Sequence, residues 1–416
     1  MPLSRGFNAQ RWGTRFRLFP QSPNLAAFKE PITVWVDVPA GFVLPGPADD
    51  RFYTIDPVDK RCPYGEDYLP PYRGAVYPPV APDAQGHFDY LAVGTRAFNT
   101  AHLYASVRCV LDVWEAYFRR RINWHFRRNY RRMELVSFVD WDNAQSGYGF
   151  IETGYHLTAS GEETLLCLNF DVIAHELGHS ILYAEVGIPA PIAQTDEYFA
   201  FHESAADLCA LVSSLHFEPV LEHILATSRG NLYVLNELNR IGELSDIEQI
   251  RLASNFYKMS NFINGWKTEH YLGLPLTGAI FDVFVDVFQS LLIQRGLIGE
   301  QLAELSARIP DPAANVEQLQ DLYDTAYQRN ASGFKEALLD ARDYLGRNLA
   351  LTWTRLSPDF LHFTNVEQAM LQADQALSGG VYREAIQANF HWRQIGQIEV
   401  GPKLYSHQEA AVSCRL

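Results

Sequence analysis

The sequence predicts an α+β protein, with a strand-and-loop N-terminal part followed by a mainly helical C-terminal part. Three observations carry this reading. Residues 1–95 hold 14 of the 22 prolines, too closely spaced between Pro45 and Pro82 for long helices. Residues 32–38 alternate apolar and polar side chains, the period of a half-buried strand. From about Asp171 onward the chain reads as mostly helical, with turn punctuation at 187–191, 230, 273–275, 310–312 and 379–380.

Between these parts the character changes near Ala97. Leu103, Val107, Val110, Trp114 and Phe118 recur at helical spacing, which predicts a helix over 99–121. A basic run follows, with Arg119, Arg120, Arg121, Arg127, Arg128, Arg131 and Arg132. In a chain of net charge −15 it reads as a solvated helix end and turn, not a nucleic-acid surface. Residues 133–158 read as strands, chiefly 135–139 and 149–151. The apolar run 276–293 carries Asp282 and Asp286 and has helical spacing, so a buried amphipathic helix is expected there and no membrane span. The expected organisation is 1–96, a Pro-rich strand and loop region; 97–200, an N-terminal catalytic lobe; 201–396, a helical C-terminal lobe; and 397–416, a tail.

The 416 residues, 47% of them apolar, suffice for one large or two closely packed domains. The acidic balance argues against nucleic acid or an anionic membrane as the main partner. Five cysteines, far apart and without a Cys-x-x-Cys pair, exclude a cysteine-type zinc site and a dense disulfide framework. Reduced, buried thiols are expected, with room for a single disulfide. The N-terminus has no apolar signal segment, so the expected location is cytoplasmic, with leaderless export or a removed leader left open.

One motif carries chemistry. His175 and His179 lie four residues apart, on one helical face, with Cβ atoms about 6 Å from one another. Two imidazoles so placed can share one zinc ion. Glu176 then stands beside the metal, where it can take a proton from the attacking water and return it to a leaving amine. Asp171 is placed to cap or charge-complement the start of this helix. A catalytic zinc takes three protein ligands. Glu203 is the candidate third, and Asp207, one turn further on the same face, can accept the free N–H of a ligating histidine. His202 reads as a satisfied polar residue, not a fourth ligand.

His175-Glu176-x-x-His179 followed by Glu203-x-x-x-Asp207 resembles the gluzincin metallopeptidases, and among them the thermolysin-like family. Residues 100–107 and 171–174 resemble the family's helices ahead of and at the metal, and 376–390 its final helices, so the likeness spans roughly 97–396. The resemblance implies a two-lobed fold with the zinc site between the lobes, and peptide or protein substrates. It implies that Asn143 and Ala144 belong to an edge strand binding substrate backbone, a role that exposed N–H and C=O groups permit. It also implies that Arg240, 33 residues after Asp207, holds the substrate carbonyl. His270 is the implied donor to the developing oxyanion, and Tyr198, or less readily Tyr183, a second donor. Ser214 and Glu222 stand near the offsets of the family's acidic calcium ligands, which leaves structural Ca2+ doubtful. Residues 1–95 do not resemble the family, and no inhibitory pro-region is recognisable.

The function expected is therefore that of a zinc-dependent endopeptidase. An aminopeptidase is disfavoured because no Gly-x-Met-Glu-Asn element precedes the motif. A zinc-holding binding or structural protein without turnover is the alternative of another class. Neither the oligomeric state nor the cleavage preference is written in the sequence.

Overall fold

The computed structural model describes residues 12–65, 68–157, 161, 163–233, 240–245, 248–308 and 316–404. The expected turn at 310–312 and Cys414 lie outside them. The chain divides into two compact units. One is built on the residues up to Gly187 with Gly242–Gln249, the other on Ile188–Ile241 and Ile250–Leu404.

The first unit opens with strands β1 (Gly13–Leu18) and β2 (Ile32–Pro39), paired antiparallel. Strand β3 (Phe52–Ile55) follows, and among the described residues no α-helix precedes Arg96, as the proline density requires. Helix α1 (Arg96–Phe118) begins at the Thr95 cap and ends at Arg119, which takes up a left-handed conformation (φ 56°). It is buried on nearly every face, so its apolar residues are not confined to one stripe. His102 on α1 accepts a hydrogen bond from the Phe19 N–H at Nε2, 2.9 Å, and complete burial holds its pKa down at about 3.

Strands β4 (Met133–Val136), β5 (Ala144–Gly147) and β6 (Phe150–Thr153) join β3 in a four-stranded sheet of order β3-β4-β6-β5. β3, β4 and β6 are parallel, whereas β5 runs antiparallel to β6 and forms an edge. Strands β7 (Tyr155–Leu157) and β8 (Glu163–Leu165) make a small ladder before helix α2 (Phe170–Glu185).

A buried ion pair is built against β6. Lys60 Nζ lies 2.7 Å from Glu152 Oε2, with both side chains almost wholly enclosed. Glu152 Oε1 also accepts from the Tyr64 N–H and from Gln145 Nε2, each at 2.6 Å. Removing one member of such a pair leaves a buried charge unpaired. Lys60→Met is therefore expected to lower the unfolding free energy by about 3–5 kcal/mol in urea titration at neutral pH. A loss below about 1 kcal/mol would show that the remaining donors suffice for Glu152.

The second unit is mainly helical. It holds helices α3 (Asp196–Ser214) and α4 (Glu218–Ser228). Next along the chain come the paired strands β9 (Arg240–Ser245) and β10 (Glu248–Leu252), in a stretch expected to be helical, with Gly242–Gln249 belonging to the first unit. Helix α5 (Glu269–Gln294) follows, then α6 (Glu300–Arg308), α7 (Val316–Arg329), α8 (Ala331–Trp353), α9 (Phe363–Ser378) and α10 (Arg383–Trp392). Gly379, left-handed at φ 79°, ends α9 as expected of a C-terminal glycine. The expected turn at 273–275 is instead helix: α5 runs through Pro275. Packing of its long apolar surface against α3, α8 and α10 outweighs the lost backbone bond. α5 has the length and apolarity of a membrane span, but 72% of its most apolar window is buried in the protein.

Overall the fold class is the α+β arrangement expected, with strands concentrated in the N-terminal part and helices in the C-terminal part. Cys109, Cys167 and Cys209 are buried free thiols, as expected, whereas Cys62 is disulfide-bonded.

Asp286 on α5 gives this unit a pH dependence. Burial raises its carboxyl to about 7, the neighbouring Asp282 adds to the rise, and a 2.7 Å hydrogen bond from Asn389 Nδ2 opposes it. The folded pKa thus lies above the unfolded value of about 3.9. The folded state binds the extra proton, so stability is lost as pH rises from about 4 to about 7. Asp286→Asn removes this dependence. Its melting midpoint relative to the parent should be higher at pH 8 than at pH 5, and equal differences at the two would contradict the assignment.

Candidate metal centre

The motif helix α2 is started by Asn169, whose side chain accepts from the Val172 N–H at 3.2 Å. Asp171 is therefore not the cap. It lies in the first turn, where its charge complements the helix N-terminus, and it accepts from Gln21 Nε2 at 3.3 Å. The signal for Asn169 was present in sequence, since Asn is among the strongest N-caps. Ile173, Ala174, Leu177, Ile181 and Leu182 are all buried and anchor the helix.

The anchoring aims the two histidines at one point. Their Nε2 atoms are 3.1 Å apart, with the rings perpendicular and their centroids 4.7 Å apart. Two nitrogens bound to one tetrahedral zinc at ordinary distances stand about 3.3 Å apart. The pair thus fits the ion with little adjustment, and imidazole is one of zinc's usual ligands. His175 and Glu176 are buried, while His179 is partly open.

The edge strand lies beside this helix. Ala144 on β5 packs with Leu166 and Val172, the latter in the first turn of α2. The Asn143 side chain accepts from the Ala144 N–H at 2.8 Å and so fixes the start of the strand. Among the described residues β5 pairs with β6 and stands at the edge of the sheet.

In the other unit, α3 starts at Thr195, which accepts from the Tyr198 N–H at 3.0 Å. Glu203 and Asp207 follow one turn apart; Asp207 is buried, and the Glu203 side chain is 19% exposed. His270 lies in the first turn of α5, capped by Thr268. Its Nδ1 is 2.7 Å from Glu203 Oε2. The close approach of α3 and α5 places them together: a Cβ on Gly273 would stand 2.7 Å from the Ala200 carbonyl oxygen. In sequence Gly273 has the mark of a turn residue; in the fold it lies within α5 at this helix crossing.

Tyr198 is buried, at 1% exposure, and its ring packs on His202 with centroids 4.9 Å apart. His202 is itself buried, and Tyr183 packs against the His125 ring at 5.1 Å. Arg240 is buried at the start of β9.

No protein-family model and no curated protein matches this chain. Among solved structures it is similar to the precursor of protealysin, a metalloproteinase from Serratia proteamaculans. The two share 13% sequence identity over 83% of this chain and 87% of that chain, with a TM-score of 0.45.

Proposed function

We propose that this chain is a zinc-dependent metallopeptidase, with His175, His179 and Glu203 as the ligands and an endopeptidase action on extended peptides. The observation that carries the reading is the convergence of His175 and His179 Nε2 to 3.1 Å, with Glu176 next to them on the same helix. With Glu203 the three side chains offer one ligand atom each, which is the complement of a catalytic zinc. When bound, the ion would supply Lewis acidity for a peptide carbonyl.

The chain's own residues then divide the remaining work. Glu176 takes a proton from the attacking water and delivers it to the leaving amine. Asp207 accepts the outward N–H of a ligating histidine and holds its tautomer. His270, held beside Glu203, donates to the developing oxyanion, and Arg240 holds the substrate carbonyl. The β5 edge, begun by Asn143 and Ala144, receives substrate backbone by strand addition.

Chelator treatment tests the reading. Cleavage of an unfolded protein should be lost with the chelator and return with zinc. Internal cleavage of N-blocked peptides separates an endopeptidase from an aminopeptidase. Stoichiometric zinc without cleavage of any member of a broad peptide library would favour the binding-protein reading instead.

A further inference from the structure

The basic run at 119–132 is taken apart by the fold. Arg119 serves as the helix end of α1, Arg120 pairs with Glu185 on α2, and Arg132 stacks on Tyr53 at 4.9 Å. Arg121, Arg127 and Arg131 meet a more distant arginine, Arg51, around one cavity of about 380 Å3, with Asp50 and Trp124 also in its wall. All of it lies in the first unit.

The charges there do not balance. Arg51 is paired with Glu115 at 2.5 Å and donates to the Ile122 carbonyl at 2.8 Å. Arg121 is paired with Asp50 at 2.6 Å. Among the described residues Arg127 donates to Asn123 Oδ1, at 3.4 Å, and neither Arg127 nor Arg131 has an ion pair. Two positive charges are left uncompensated on a concave surface of a chain whose net charge is −15. Burial depresses the Arg51 pKa, Glu115 raises it in part, and the nearby Arg121 and Arg108 depress it further.

We propose that this cavity binds a small phosphate-bearing molecule, a phosphomonoester or diphosphate. Guanidinium groups suit phosphate oxygens in bidentate geometry, and two excess charges match a dianionic phosphate. The volume falls within the usual range of small-molecule pockets, about 300–1,000 Å3, so it holds more than a bare oxyanion. Trp124 is buried behind this wall, with the Arg51 guanidinium 4.7 Å from its ring centre and Phe126 stacked on it at 5.7 Å, so it holds Arg51 in place. A compact concave pocket in an acidic chain is also unlike the extended basic stripe that nucleic acid requires. The site is independent of the metallopeptidase reading.

Calorimetric titration of the full chain with pyrophosphate and with adenosine monophosphate, at about 0.15 M salt, tests this. One saturable site is expected for at least one of the two. The double variant Arg127→Gln/Arg131→Gln should lose at least about tenfold in affinity, equivalent to about 1.4 kcal/mol. Arg128→Gln, exposed and outside the cavity wall, should retain it. Arg127 and Arg131 are exposed, and thermal midpoints of the variants are compared with the parent; if the double variant unfolds early, Arg131→Gln alone is used. The proposal is overturned if neither probe binds more tightly than about 1 mM. It is equally overturned if affinity survives the double variant, if Arg128→Gln weakens binding as much, or if a single-stranded oligonucleotide outcompetes both probes.

Discussion

Replacing Glu176 with Gln is expected to abolish peptide cleavage while leaving zinc content unchanged. Glutamine keeps the size and the hydrogen-bonding reach of the side chain but cannot accept a proton from water. General-base catalysis contributes about 10²–10⁴ to rate, and the loss in kcat should lie in or above that range. Because Glu176 is buried on the same helix as the two histidines, an isosteric change should leave the helix and its metal affinity intact. The result separates the peptidase from its main alternative. A zinc-holding binding protein would show no cleavage in either form. A peptidase using some other base would show equal cleavage in both.

The second large effect concerns the metal. His179→Ala and Glu203→Ala should each weaken zinc binding by more than about 100-fold, because loss of a supporting partner alone typically costs 10–100-fold. Asp207→Asn should fall within that smaller range. His270→Gln should keep zinc near parental affinity, since His270 is assigned to the reacting oxygen and not to the ion. Competition against a chromogenic chelator would rank the four. If His270→Gln lost zinc as severely as Glu203→Ala, the 2.7 Å contact between His270 and Glu203 would have to be read as part of the metal's support.

Much of this was legible in the sequence because it depends on local spacing. The i, i+4 relation of His175 and His179 needs only helical geometry, and α2 supplies it. The same rule puts Glu203 and Asp207 on one face of α3. The proline density announced the helix-poor stretch before Arg96, and the alternation at 32–38 announced β2. What could not be read rests on contacts distant along the chain. His270 meets Glu203 because Gly273 lets α5 approach α3, a crossing that no local pattern records. Pro275 looked like a helix stop, and tertiary packing overrode it. The β9–β10 ladder was hidden in a short stretch whose alternation at 249–252 is too brief to outweigh its helical neighbours.

The arginine cavity makes the same point from the other side. In sequence, residues 119–132 were one basic run, and a solvated surface was the sensible reading. Folding divides the run between ion pairs, a stacked ring and a cleft, and Asp50 and Arg51, far away in the chain, complete the wall of that cleft.

The central claim is that one zinc ion is held by His175, His179 and Glu203. Anomalous diffraction at the zinc edge from crystals of the zinc-loaded chain tests it most directly. A single strong peak is expected about 2.0–2.2 Å from a nitrogen of each histidine and from a Glu203 carboxylate oxygen. A peak away from the His175–His179 pair, or none at all in zinc-loaded crystals, would contradict the account.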